Sequence, residues 1–150
     1  MYQPWGANAI VVLATVLAVA LVVLVHYEGL NLLSRWLAHQ PNSQRRRRAM
    51  YGIFGALMLR VLEIWVFGFA AAGLLLLPGT GNISGSAPTG LLDAVYFLAT
   101  TYVTLGIGDL TPVGPIRFLS GMVALVGFML IAWSASFTYV EISRNWRDRL

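Results

Sequence analysis

Residues 100–112 read TTYVTLGIGDLTP. Thr104, Gly106 and Gly108 recur at every second position, with bulky Leu105 and Ile107 between them. Glycine reaches positive φ freely, whereas leucine and isoleucine prefer negative φ. Alternating the two hands turns successive carbonyls to one side and makes a column of oxygen dipoles. Such oxygens can replace the water around a cation. One column is a poor ion site. Several copies around an axis would stack their oxygens into cages.

Non-helical backbone at membrane depth is tolerated only where protein buries it or where it lines a water-filled cavity. The composition calls for a membrane. Hydrophobic residues make up 58% of the 150 positions and charged residues only 11%, against about a quarter charged in an ordinary soluble domain. Cysteine is absent, which excludes disulfides and thiolate metal sites. The net charge of +4 comes from arginines. These sit at the ends of apolar runs, as a topology signal does, and do not form a nucleic-acid footprint.

The elements that must position TLGIGD follow from the apolar runs. Residues 7–25 are about long enough to span a bilayer, and HYEGLNLLSRWLAHQ extends that helix to the membrane surface. Pro41 and Asn42 break it before Arg45 to Arg48. Residues 51–77 form the second span and 118–140 the third. Residues 78–90, PGTGNISGSAPTG, read as a loop. Residues 91–103 are apolar but too short to cross, so they are expected to dip into the membrane and return. Arg35, Arg45 to Arg48, Arg144, Arg147 and Arg149 fall in the first connection and the tail. The positive-inside rule makes both cytoplasmic, with the N-terminus and the 78–90 loop outside. The expectation is an all-α, multi-pass protein of the plasma (inner) membrane. An N-terminal unit, 1–44, holds one transmembrane helix and the connection, and residues 45–150 form a second unit.

Thr101-x-x-Thr104-Leu105-Gly106-Ile107-Gly108-Asp109, placed after a short apolar segment and between two spans, resembles the selectivity-filter signature of the potassium channel pore-loop family, in its small prokaryotic form. The resemblance covers about residues 51–140 and implies an outer helix, pore helix (91–103), filter (104–108) and inner helix (118–140), assembled as a homotetramer. It implies passive conduction with K+ as the permeant ion and no other cofactor. Carbonyls of Thr104, Leu105, Gly106 and Ile107 would hold K+, with the Thr104 hydroxyl innermost and Gly108 ending the column. Asp109 would bond behind the filter to the pore helix, with Tyr96 as partner and Thr100 and Thr101 in the supporting shell. Thr100 stands where some members carry a carboxylic acid. Leu105 replaces the usual valine and Ile107 the usual aromatic residue. Without that aromatic brace, a weakly selective monovalent cation channel is the alternative. A non-conducting regulatory subunit is another.

In this family a mid-helix glycine often serves as the gating hinge, and Gly127 is nearest that place. Close helix packing is an equal reading of it. Ser134 would line the cytoplasmic end or bond back to its own helix. Phe137 is a candidate hydrophobic gate. The chain shows no calcium or nucleotide module and no arginine-repeat voltage sensor. There is no nucleophile–base pair, so no enzyme is expected.

Charges within apolar spans are costly and usually functional. Arg60 and Glu63 share a helix face at a spacing of three. With an antiparallel first span, His26 and Glu28 would join them in a buried cluster that docks the extra helix. The alternative leaves Glu28 at the interface and Arg60 paired with Glu63 alone. Arg45, Arg46, Arg47 and Arg48 are a topology signal that can also hold anionic lipid.

Overall fold

Long apolar runs free of proline favour helix, and four helices carry most of the described residues. In the computed structural model, which describes residues 5–39, 45–85 and 90–147 without the side chains at 45, 46, 141 and 144–147, these are α1 (Trp5–Ala38), α2 (Arg45–Leu75), α3 (Leu91–Tyr102) and α4 (Arg117–Arg147). Three of them, α1, α2 and α4, are long and apolar enough to cross a membrane. At 12 residues α3 is not, since a span needs roughly 20. Helix α2 starts before residue 51 because arginine is a good helix former, and it stops ahead of Pro78. Helix α4 likewise continues beyond 140, to Arg147. The expected break at Pro41 and Asn42 lies outside the described residues.

Helices α1 and α2 pack antiparallel along a seam of small residues. Gly29 lies beneath Leu59 and Gly55 beneath Leu33, so closely that a Cβ on either glycine would displace the facing leucine. Further along, the rings of Trp36 and Tyr51 meet edge to face at 5.5 Å. The buried positions of α1 are Ala7, Val11, Thr15, Ala18, Val22, His26, Leu30 and Leu37. Steps of three and four keep one helical stripe against the protein, and the remaining apolar faces are open to lipid or to other copies.

The fold is mostly helical, as expected, with one addition. A two-stranded antiparallel ladder joins β1 (Asn82–Gly85), inside the expected loop, to β2 (Leu110–Val113), with Asn82 opposite Val113 and Gly85 opposite Leu110. Pairing is driven by main-chain groups that would otherwise go unsatisfied, anchored by Ile83, which is buried. Thr80 fastens the same loop to the helices. Its hydroxyl donates to the carbonyls of Leu74 and Leu77, and its carbonyl accepts from the Ile116 amide. The segment between α3 and β2 is therefore held at both ends.

Candidate functional site

Helix α3 is preceded by its N-cap, Gly90, whose amide donates to Asp93 Oδ2 at 2.9 Å. An acid in the first turn suits the positive end of the helix dipole. At the other end α3 hands the chain directly to TLGIGD. The amides of Leu105 and Gly106 both donate to the Thr100 carbonyl, at 2.8 and 3.2 Å, and the Thr104 amide donates to the Thr101 carbonyl at 2.9 Å. Thr100 and Thr101 thus touch the loop through their carbonyls, while their hydroxyls bond back to the Phe97 carbonyl.

The backbone then alternates. Thr104, Gly106 and Gly108 have φ of +58°, +54° and +87°, and Leu105 and Ile107 are not among the positive-φ residues. Thr104 is the sole non-glycine with positive φ among the described residues. A β-branched residue there is strained and persists only where its surroundings hold it. Among the described residues, the carbonyls of Thr104 to Gly108 accept no main-chain hydrogen bond. The side chains of Leu105 and Ile107 are exposed. What the segment offers chemically is a strip of free carbonyl dipoles.

Past the strip, Asp109 turns back towards α3. Its Oδ2 accepts from the Tyr96 hydroxyl at 2.9 Å and its Oδ1 from the Leu110 amide at 3.0 Å. The bond to Asp109 holds the Tyr96 phenol above its ordinary ionisation range.

A polar network is buried behind the α3–loop junction. His26 Nδ1–H donates to Glu63 Oε1 at 2.7 Å, and both side chains are fully buried. Glu63 Oε2 accepts from the Tyr102 hydroxyl and, at 3.4 Å, from Arg60. The Arg60 guanidinium also donates to the Tyr102 oxygen, the Leu130 carbonyl and the Ser134 hydroxyl. Four helices meet there through one carboxylate and one guanidinium. The Trp133 ring closes the far side of His26, edge on at 5.3 Å.

Glu28 stands apart from this cluster, which corrects the four-residue expectation. The contact of the neighbouring Gly29 with Leu59 brings Glu28 to about the depth of Arg60, but its side chain is exposed. Residues two apart on a helix do not share a face, so His26 inside puts Glu28 outside. The residue the sequence reading missed is Tyr102. It lies in α3, on an element separate from its partners in sequence, and only its position one step before the loop could have flagged it.

Gly127 packs against the end of α3, so that a Cβ there would overlap the Tyr102 carbonyl oxygen. Helix α4 is continuous through it. That geometry is the close-packing reading. Ser134 is buried with its hydroxyl committed to Arg60. Phe137 faces α1, lining a small cavity with Tyr27, Leu30, Asn31, Ser34 and Trp133. Arg47 is exposed, and the side chains of Arg45 and Arg46 lie outside the described residues. Among the described residues no His, Asp and Glu side chains gather into a metal site.

Residues 50–143, well over half of the chain, match the family model described as ion channel. No curated protein and no solved structure was found to match.

Proposed function

The chain belongs to the ion channel family, and from that premise we propose that it conducts potassium passively across the plasma membrane as a homotetramer. The observation that carries the reading is the alternating hand at Thr104, Gly106 and Gly108 beside unpaired carbonyls. Four such strips around a fourfold axis stack their oxygens into cages that replace an ion's hydration shell. In this arrangement α2 is the outer helix, α3 the re-entrant pore helix and α4 the inner helix. Carbonyls of Thr104, Leu105, Gly106 and Ile107 coordinate K+, with Gly108 at the outer mouth. Asp109 and Tyr96 brace the strip from behind. Helix α1 is an added span, docked on α2. The N-terminus is outside and the C-terminus cytoplasmic, by the arginine distribution.

A second reading, weak selectivity among monovalent cations, is favoured by one observation. Ile107 is 56% exposed and offers no hydrogen bond to α3, so the strip lacks an aromatic brace at that point. Flux from purified protein in liposomes separates the two. Under a potassium gradient the wild type should conduct and Gly106→Ala should not, with little flux under a sodium gradient. Equal flux of both ions would establish the weakly selective pore. Silence from intact tetramers would overturn autonomous conduction.

A further inference from the structure

Resting on the channel reading above, we propose that Glu63 is a positioning residue for the filter, and that His26 of α1 makes the added helix part of the filter's support. Thr100, on whose carbonyl the Leu105 and Gly106 amides rest, brings no carboxylate of its own to the back of the strip. Glu63 supplies one from α2. It accepts from the Tyr102 hydroxyl, and Tyr102 is the last residue of α3. Two residues later comes Thr104, in the strained left-handed conformation. Thr104 is tied back to Thr101 through its amide. A shift of the Tyr102 side chain is therefore transmitted within one turn to the first oxygen of the strip.

The other contacts of Glu63 leave it little freedom. His26 takes Oε1, and Arg60 bridges Oε2 to the Leu130 carbonyl and Ser134 on α4. Tyr102 is itself closed in, 1% exposed, with Gly127 against its backbone and the Phe67 ring at 6.4 Å. A simple dock between α1 and α2 would need His26 and Glu63 alone. The extension of the same carboxylate to the residue at the foot of the strip is what assigns it a role in ion binding.

The test is potassium affinity of the purified full-length tetramer, titrated by calorimetry in a sodium background, alongside thermal unfolding in sodium alone. Glu63→Gln and Tyr102→Phe should each weaken potassium binding about tenfold, the size expected from losing one charge-assisted hydrogen bond. The double variant should be little weaker than either single one, because both remove the same link. Leu30→Ala, on the α1 seam but outside the network, should lower the unfolding temperature and leave potassium affinity unchanged. Affinities within about twofold of wild type in both network variants would overturn the proposal, because twofold is only about 0.4 kcal/mol, no more than the usual deviation from additivity between uncoupled sites. A wild type that does not prefer potassium to sodium would overturn the potassium-channel reading itself. That result is visible before any variant is compared.

Discussion

Gly127 of α4 lies against the carbonyl oxygen of Tyr102, at the C-terminal end of α3, with no room for a Cβ. The contact is between main chains, so neither side can rotate away. Gly127→Ala is expected to push α4 off α3 and to destabilise each subunit by about 1–3 kcal/mol, the usual cost of overpacking. Thermal unfolding would show the loss. Gly121→Ala, in the same helix but with nothing within 4 Å of its Cβ, should leave subunit stability unharmed.

Gly106→Ala separates conformation from space. Nothing lies within 4 Å of a Cβ at Gly106, yet its φ is +54°. The expected cost is conformational, roughly 1–2 kcal/mol per copy. The chain should still assemble, because the strip contributes little to the core. Size-exclusion chromatography should show an intact oligomer while potassium flux is lost.

Thr80→Val removes a buried hydroxyl that donates to the Leu74 and Leu77 carbonyls. Shape is nearly conserved, so the loss reports on hydrogen bonding. A decrease of about 1–3 kcal/mol is expected from leaving buried acceptors unsatisfied. Hydrogen exchange should speed up in β1 and β2 before it does in the long helices.

The Tyr96–Asp109 bond gives a prediction in pH. The phenol is held above its ordinary value of 10.0, chiefly by its hydrogen bond to Asp109. A raised value means that the contribution is fully present below pH 10 and is lost as pH rises through the higher, folded value. Ion selectivity, measured by reversal potential, should not change through Tyr96 ionisation between pH 7 and about 10. Tyr96→Phe should reduce selectivity across that whole range.

Much of this architecture is legible in the sequence because membrane helices are long and TLGIGD is unlike anything a helix would carry. The alternating hand could be read from the spacing of Gly106 and Gly108, since glycine is the residue that takes such φ without strain. The β1–β2 ladder was not legible. Four residues paired through their backbones leave no side-chain period to detect. The polar cluster was half legible. Arg60 and Glu63 advertise themselves by their charge, but Tyr102 meets Glu63 across 39 residues. For Glu28 the deciding variable is the face of the helix it occupies, which an antiparallel pairing of spans alone does not fix. The signal that would have excluded it was present: in a lipid-facing helix the small and polar residues mark the protein side. The stripe Ala7, Val11, Thr15, Ala18, Val22 passes through His26 and misses Glu28.

The alternation at Thr104, Gly106 and Gly108 has a consequence for how such a site is mapped. On the proposed reading the ligands are peptide oxygens, and every residue carries one whatever its side chain. Truncating Leu105 or Ile107 would leave the ligand set whole. The positions with no side chain to truncate, Gly106 and Gly108, are where the site is most easily destroyed. An alanine scan would therefore draw the map in negative. A direct probe would be an amide-to-ester exchange at a single bond, which weakens one carbonyl and leaves every residue name unchanged.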